Sequence, residues 1–385
     1  MQAYLQREEA VDGRSGNGRD EAAGGDAGHG GLVNARIEGA AGIVTLDRPR
    51  TLNALTTAMR AEIARALAAW ARDPQVYAVV IESAAKGMFC SGGDVREIAQ
   101  LARSDMAAAR RSLAAEYTLN WQLECFTKPT VSLIDGLVMG GGVGLTLYGT
   151  HRVAGAGYRF AMPETGIGLF PDDGVSSVLA RMPHAIGMYL ALTGRAIGPA
   201  AAFRLGLVTH CIPAERFAEV RAALSDAEPI DPILDGLHRH PDRGELESLE
   251  PAIARCFGAG SVEEMFARLQ TERGEAEQWA REVLQDLGSR SPTSLKVTYR
   301  QVSLARGMDL RQALIQDYRL ACRFLEANDF FEGVRALLID RDRAPRWRPA
   351  RLDAVDARAV ETYFAHLGAG ELPLSTRQEL QALRP

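Results

Sequence analysis

The sequence has few cysteines, and their spacing excludes two classes of small folded protein. Its five cysteines stand at positions 90, 125, 211, 256 and 322, with no Cys-x-x-Cys pair and no closely spaced group of cysteine and histidine. Structural zinc sites and disulfide scaffolds both depend on such spacing. The sequence therefore predicts free thiols and no metal site.

An excess of positive charge and a long apolar run are also missing. The 44 Lys and Arg residues are outnumbered by 49 Asp and Glu residues, which gives a formal net charge of -5. Without a basic field, no nucleic-acid or membrane partner is expected, and an anionic ligand must be held locally. No apolar run approaches the ~18 residues of a spanning helix, and the N-terminus lacks the order of a signal peptide. A cytoplasmic location is predicted.

Two nucleotide-binding motifs are absent. Neither Gly-Lys-Ser nor Gly-Lys-Thr occurs in the sequence, which excludes a P-loop. The glycines from Gly140 onward do not complete a dinucleotide fingerprint, because leucine occupies position 145, where the third glycine would stand. Binding of a nucleotide through either motif is therefore not predicted.

The 385 residues divide by composition into a core and appendages. The first 32 residues are rich in Gly, Ala, Asp and Arg and have almost no large apolar residue after Leu5, too little to offset the entropy of ordering. A polar stretch with several prolines follows the core. We predict a disordered N-terminal extension, an α/β core, a helical insertion, C-terminal helices and a C-terminal tail over residues 1–32, 33–222, 223–290, 291–348 and 349–385.

Local patterns place the elements of the core. Two β-type stretches between residues 33 and 46 predict a hairpin. Thr56 or Thr57 is the predicted N-cap of the helix that follows. Residues 76–82 and 130–138 each have the pattern of one apolar strand, followed by a glycine-rich turn that opens a helix. Repetition of strand, turn and helix predicts an α/β fold with crossover connections.

Two helix starts are predicted nearer the C-terminus. Ser291-Pro292 has the residue types favoured at the cap and the first helical position. Asp329 is followed three residues later by Glu332, which fits a capping box. Both helices belong to the predicted C-terminal region.

The glycine-rich turns are the first candidates for chemistry. They are Phe89-Cys90-Ser91-Gly92-Gly93-Asp94 and Met139-Gly140-Gly141-Gly142-Val143-Gly144. Glycines leave backbone N–H groups accessible, and at the start of a helix these donors favour a bound oxygen. Two such turns could converge on one carbonyl group. The alternative is that the glycines only permit tight turns or close packing.

Carboxyl groups are the second candidates. Glu164 and Asp172 stand eight residues apart in an apolar, glycine-punctuated stretch, each after a proline. Burial there would raise their pKa values and suit them to acid–base or nucleophilic chemistry. The alternative is that they cap helices or pair with Arg159 or Arg181. Glu116 on a predicted helix is a third candidate, with a surface carboxylate as its alternative.

In this order, the motifs resemble the crotonase (enoyl-CoA hydratase/isomerase) superfamily over about residues 33–348. Within the superfamily the subgroup they resemble is that of the 3-hydroxyisobutyryl-CoA hydrolases, and the insertion also suits that subgroup. The general motifs are the two glycine turns, Leu46-Asp47-Arg48-Pro49, Leu52-Asn53-Ala54-Leu55, Leu192-Thr193-Gly194-Arg195 and Gly206-Leu207-Val208. The subgroup motifs are Glu116-Tyr117-Thr118-Leu119-Asn120, Phe160 to Asp172, Ser291 to Lys296, and Phe331 to Ala336 running on to Trp347.

The resemblance implies a spiral of ββα units with a helical C-terminal region. The amides of Gly93 and Gly141 would form an oxyanion hole for a thioester carbonyl. Coenzyme A would be part of the substrate, with no other cofactor, and the C-terminal helices would complete its site. Many crotonases form trimers or hexamers, so the resemblance leaves a homo-oligomer open. The implied substrate-binding residues are Glu116, Asn53, Ala54, Leu55, Ser91 and Asp94.

The resemblance also implies a reaction. Hydratases of this superfamily carry one glutamate at the position of Gly144 and another at that of Glu164, whereas here the second acid is Asp172. The implied activity is hydrolysis of 3-hydroxyisobutyryl-CoA, a step of valine catabolism, with Glu164 and Asp172 as catalytic residues. An enoyl-CoA hydratase or isomerase, and an acyl-CoA-binding relative without activity, are the alternatives. Asp173 departs from the glycine-rich run that relatives often have there.

Overall fold

A computed structural model describes residues 32–382 of the chain. The predicted disordered extension therefore lies outside the described residues, apart from Leu32. The strands are β1 (Val33–Glu38), β2 (Ala41–Leu46), β3 (Ala78–Ser83), β4 (Met88–Cys90), β5 (Thr130–Ile134), β6 (Leu137–Met139), β7 (His151–Ala154), β8 (Arg159–Ala161) and β9 (His210–Cys211).

Helices surround these strands and make up most of the C-terminal half. In the first half they are α1 (Thr57–Trp70), α2 (Val95–Ser104), α3 (Met106–Glu124), α4 (Gly141–Leu147), α5 (Ser176–Leu179), α6 (Ile186–Thr193), α7 (Pro199–Arg204) and α8 (Phe217–Ser225). The second half has α9 (Ile230–Leu237), α10 (Glu250–Phe257), α11 (Val262–Thr271), α12 (Glu277–Gly288), α13 (Pro292–Ala305), α14 (Leu310–Phe324), α15 (Asn328–Val334), α16 (Ala357–Phe364) and α17 (Arg377–Ala382).

The strands of the described residues form two sheets. The larger has the order β1-β2-β3-β5-β7-β9, antiparallel between β1 and β2 and parallel elsewhere, and the smaller is parallel with the order β4-β6-β8. From β3 to β8 the chain alternates between the sheets, and a helix follows β4 and β6. This is a spiral of ββα units, so the predicted α/β fold is confirmed.

Three of the local predictions are confirmed. The hairpin β1–β2 pairs Val33 with Leu46 and Glu38 with Ala41. The N-cap of α1 is Thr56, whose hydroxyl oxygen accepts a hydrogen bond from the amide of Met59. Helix α13 follows the cap Ser291 as expected. Such caps depend on residues within one turn of each other, which is why the sequence alone predicts them.

The single strand predicted over 130–138 is wrong. The chain there forms two strands, β5 and β6, which lie in different sheets. The break falls at Gly136, where φ is +120° and a Cβ would lie 2.2 Å from the carbonyl carbon of Gly87. Only glycine meets both conditions, so the chain crosses from one sheet to the other at this residue.

The capping box predicted at Asp329 is also wrong. Helix α15 begins at Asn328 with Ala327 as its N-cap, so Asp329 lies inside the first turn. Its buried carboxylate instead accepts hydrogen bonds from the Ser291 hydroxyl at 2.6 Å and the Arg348 amide at 2.8 Å. These contacts tie the cap of α13 to the segment that follows α15.

Three apolar clusters organise the interior of the described residues, and the smallest packs the larger sheet against α8 and α9. The largest joins the sheets to α1 and includes residues of the predicted insertion, such as Phe257 and Trp279. The second cluster packs the C-terminal helices against α2 and α3, with Tyr117 and Phe330 among its members. Since α2 follows the first glycine turn, this packing places the C-terminal helices near the glycine turns.

Among residues 32–382, none of the helices combines the length and apolar character that a membrane crossing requires.

Candidate active site

A cavity of about 590 Å³ opens where the glycine turns face the C-terminal helices. It brings together groups that are far apart in the sequence. Its wall includes both turns, Glu116 of α3, the loop with Glu164 and Asp172, Leu325 after α14 and Phe330 of α15. The cavity thus collects the predicted donors, the carboxyl groups and apolar side chains in one wall.

Gly93 and Gly141 lie side by side where the two turns meet. A Cβ built on Gly141 would lie 3.2 Å from the amide nitrogen of Gly93. Within residues 32–382, neither amide donates a hydrogen bond to another group of the protein. Both glycines line the cavity. The turns therefore present two neighbouring N–H donors to a ligand oxygen.

Glu116 lies beside both glycines, and the alternative of a surface carboxylate is wrong. Its Oε1 atom would be 2.6 Å from a Cβ on Gly141 and 3.4 Å from one on Gly93. The residue is buried and forms an ion pair of 3.3 Å with the Nη1 atom of Arg60. Burial raises the pKa of Glu116 to about 7, and the charge of Arg60 opposes this rise.

Glu164 is the first residue of a 3-10 turn, Glu164–Ile167, that follows β8. The side chain is buried, and its Oε2 atom has no hydrogen-bond partner among the described residues. Burial raises the pKa of Glu164 well above its usual value, and the charge of Asp172 adds to this effect. The ionised form of such a carboxyl group can take a proton or attack an electrophile with its free oxygen, and a raised pKa makes it the stronger base.

Asp172 and Asp173 each accept a hydrogen bond from a side chain of α3. The Tyr117 hydroxyl donates to Oδ2 of Asp172 at 2.7 Å, and Nδ2 of Asn120 donates to Oδ1 of Asp173 at 2.6 Å. Burial raises the pKa of both carboxyl groups, with the hydrogen bond from Tyr117 opposing the rise at Asp172. Asp173 has a φ of +58°, a left-handed backbone conformation that does not occur within a regular strand or right-handed helix.

The alternative that Arg159 or Arg181 pairs with Glu164 or Asp172 is wrong. Arg159 donates to the carbonyl oxygen of Tyr158, and Arg181 donates to the carbonyl oxygens of Ser177 and Met308. The arginine whose charge acts on Glu164 is Arg290, which the sequence did not single out.

Gly144 has no room for a side chain. A Cβ at this position would lie 2.6 Å from Nδ2 and 2.7 Å from Oδ1 of Asn120. The Asn120 amide is fixed by its hydrogen bond to Asp173. An amide group therefore occupies the space into which a side chain at position 144 would project.

The residues predicted to bind coenzyme A divide into two groups. Ala54, Ser91 and Asp94 line the cavity. Asn53 and Leu55 do not line it, and both are fully buried. The Asn53 side chain accepts from the Arg48 amide and donates to Ser83 and Phe89, and the Leu55 backbone pairs with the turn around Gly93.

Cations surround the mouth of the cavity, a feature that the net charge of -5 conceals. Arg50, Lys86 and Arg96 are exposed residues of its wall. Arg48 also lines it, paired with Asp94 at 2.8 Å. These groups provide the local positive charge that an anionic ligand needs.

Comparison with known proteins places this site in a family. The family model described as Enoyl-CoA hydratase/isomerase matches residues 41–364. The chain is 38% identical over 345 residues to the mitochondrial 3-hydroxyisobutyryl-CoA hydrolase of Homo sapiens, with 87% of this chain and 89% of the relative covered. It is 36% identical over 354 residues to 3-hydroxyisobutyryl-CoA hydrolase 1 of Arabidopsis thaliana, with 89% and 93% covered.

Solved structures show the same fold. A structure described as a carnitinyl-CoA dehydratase from Mycobacterium thermoresistibile matches with a TM-score of 0.85 at 36% identity, covering 90% of this chain and 99% of that one. One described as an enoyl-CoA hydratase from Rhodobacter sphaeroides matches with a TM-score of 0.84 at 38% identity, covering 89% and 99%. The chain therefore belongs to the enoyl-CoA hydratase/isomerase, or crotonase, family.

Proposed function

We propose that this protein hydrolyses the thioester of 3-hydroxyisobutyryl-CoA, giving 3-hydroxyisobutyrate and free CoA, as in the breakdown of valine. The observation that carries the proposal is the contact between Gly144 and Asn120. A crotonase hydratase uses a glutamate at that position, and here the Asn120 amide fills the space. The names of the curated relatives agree with a hydrolase.

The proposed reaction begins at the thioester carbonyl. The amides of Gly93 and Gly141 stabilise the oxygen as it becomes negative, each contributing about 3 kcal/mol in comparable sites. In one route, the Glu164 carboxylate attacks the carbonyl carbon, CoA leaves as a thiolate that takes a proton, and water opens the resulting anhydride. In the other, Glu164 takes a proton from water as its oxygen attacks the carbonyl carbon, and the C–S bond then breaks to release CoA as a thiolate that takes a proton. Both routes need the free oxygen of Glu164.

Specificity for the hydroxyacyl group is assigned to Glu116 and Asp172. Both line the cavity, and the Tyr117 hydroxyl fixes the orientation of Asp172. Together they orient the 3-hydroxyl group and the attacking water. A site that hydrogen-bonds a hydroxyl group rejects analogues without it far more strongly than a pocket rejects an extra methyl group. An acyl group that lacks the hydroxyl should therefore be a poor substrate.

The CoA portion is assigned to the mouth of the cavity. Ala54, Ser91 and Asp94 contact it there, whereas Asn53 and Leu55 support the turn from beneath. The exposed cations at the mouth offset the phosphate charges. CoA arrives as part of the substrate, and no other cofactor is proposed. Curated relatives are named as mitochondrial proteins, so the predicted cytoplasmic location has no support from them and stays a prediction.

An enoyl-CoA hydratase is the second candidate, since the descriptions of the two similar structures name hydratase and dehydratase activities. Incubation with 3-hydroxyisobutyryl-CoA, 3-hydroxypropionyl-CoA and crotonyl-CoA separates the candidates. We expect release of free thiol from the two hydroxyacyl thioesters. Rapid loss of the crotonyl chromophore without thiol release would overturn the proposal and support the hydratase.

Gly141→Ala should lower turnover by about 10-fold or more, as expected for the loss of an oriented donor. The new methyl group would lie 2.6 Å from Oε1 of Glu116, so either the turn or the carboxylate must move. Gly288→Ala is the control, because a Cβ there meets nothing within 4 Å. Thiol release is measured for both variants. Unchanged turnover in Gly141→Ala would show that the reaction does not depend on this turn.

A further inference from the structure

A buried arginine stands behind the proposed site. Arg60 lies in the first turn of α1 and is 2% exposed, although arginine is seldom buried without partners. Its Nη1 atom donates to the Leu55 carbonyl oxygen at 2.9 Å, and its Nη2 atom donates to the Ser112 hydroxyl at 2.9 Å. These two hydrogen bonds therefore fix the guanidinium group independently of Glu116.

The same group connects the donor turn to Glu116. Nη1 of Arg60 is 3.3 Å from Oε1 of Glu116. A Cβ on Gly93 would lie 3.5 Å from this nitrogen and 3.4 Å from that oxygen, so the ion pair packs directly against the turn. Arg60 does not line the cavity, whereas Glu116 does. The direct contact of Arg60 with the lining of the cavity is therefore made through Glu116, and its charge also acts on the pKa of Asp172.

We propose that Arg60 is a positioning residue, which holds the Glu116 carboxylate beside Gly93 and Gly141 and keeps it ionised at the acyl end of the cavity. The role rests on the proposed function, since it concerns the group assigned to the hydroxyl of the acyl chain. A planar guanidinium with fixed donors suits this task better than a mobile ammonium group.

The charges around Glu116 explain why a cation is needed. Burial alone disfavours the ionised form of a carboxyl group, and neighbouring carboxylates disfavour it further. In the described part of the chain, the cation that faces Glu116 is Arg60. The other titratable groups that interact with Glu116 are Glu97 of α2, Asp172 and Asp173 of the loop, Cys90 of β4 and Tyr117 of α3. Removing Arg60 should therefore raise the pKa of Glu116 further.

The test compares Arg60→Met with Arg60→Lys, and Arg65→Met is the control because Arg65 is exposed on the same helix. Carboxyl titration by NMR with carbon-13-labelled glutamate, assigned with Glu116→Gln, reads the pKa of Glu116 directly. We expect Arg60→Met to raise this pKa by at least one unit, Arg60→Lys to restore most of the difference, and the control to change nothing. At pH 7, kcat/KM for thiol release should fall at least 10-fold in Arg60→Met and less than 3-fold in Arg60→Lys.

A second variant covers the case in which Arg60→Met does not fold. Ser112→Ala removes one anchor of the guanidinium and leaves its charge, so a smaller rise in the same pKa is expected. An unchanged Glu116 titration in Arg60→Met, or in Ser112→Ala if only that variant folds, would overturn the proposal. Failure of the proposed function would appear as wild-type protein that releases no thiol from 3-hydroxyisobutyryl-CoA. The titration needs no turnover, so it tests the role of Arg60 in that case too.

Discussion

Glu164→Gln should lower thioester hydrolysis by about 100-fold or more, the loss expected when a general base or nucleophile is removed. Glutamine keeps the volume of the side chain and most of its hydrogen-bonding capacity, but it can neither attack the carbonyl carbon nor take a proton from water. The wild-type side chain is buried, and the oxygen that the reaction needs has no hydrogen-bond partner among the described residues. Release of free thiol from 3-hydroxyisobutyryl-CoA is the measurement.

Binding of free CoA is the matched control for this variant. The proposed CoA contacts lie at the mouth of the cavity, so the affinity measured by calorimetry should barely change. Asp172→Asn is the comparison, because it removes the other proposed catalytic carboxylate. Near-normal turnover in Glu164→Gln together with an inactive Asp172→Asn would reverse the two roles and make Asp172 the base.

Trapping with hydroxylamine separates the two routes proposed for Glu164. An acyl anhydride on the carboxylate would react with hydroxylamine during turnover and give a hydroxamate above the background from the thioester itself. Direct attack by water gives no such excess. The free Oε2 atom is compatible with either route, since it can approach a carbonyl carbon or a water molecule.

The parts of the site that the sequence predicts are those set by local chemistry. Gly93 and Gly141 are recognised because glycine-rich turns expose backbone donors, and Thr56 and Ser291 because caps bond within one turn. Glu164 and Asp172 are recognised because acids in an apolar stretch are unusual. In each case the signal lies within a few residues, and the structure brings the glycines and the two acids to one cavity.

The residues that sequence reasoning missed act over long distances. Arg60 occupies a helical position next to Met59 and is separated from Glu116 by 56 positions, so nothing nearby in the sequence shows that it is buried. Asn120 follows Glu116 by four residues, which places both on one face of α3. That spacing was a usable signal for a second group at the site. Its contact with Gly144, however, depends on how α3 packs against α4.

The site concentrates more negative charge than its arginines balance. Glu116, Glu164, Asp172 and Asp173 all line one cavity, and burial raises the pKa of each. Each carboxylate disfavours ionisation of the others, so the charge on one group depends on the charge on its neighbours. Such coupling suits hydrolysis, where a proton must be taken and later returned.

Gly144→Glu should destabilise the protein rather than convert it into a hydratase. The first carbon of the new side chain would already lie 2.6 Å from the Asn120 amide, which is itself bonded to the buried carboxyl group of Asp173. Overpacking and burial of an unpaired charge together should lower the free energy of unfolding by about 3 kcal/mol or more. Denaturant unfolding at pH 7 measures the loss.

The control for this substitution is Gly236→Glu in α9. Gly236 is exposed, and a Cβ there would meet nothing within 4 Å. The unfolding curve of this control should therefore stay close to that of the wild type. Adding Asn120→Gly to Gly144→Glu removes the blocking amide and should recover part of the lost stability. Hydration of crotonyl-CoA is then measured in the double variant, because that variant has space for a second glutamate. Wild-type stability in Gly144→Glu alone, with hydration of crotonyl-CoA, would show that Asn120 moves aside readily and that its contact with Gly144 does not exclude the hydratase reaction.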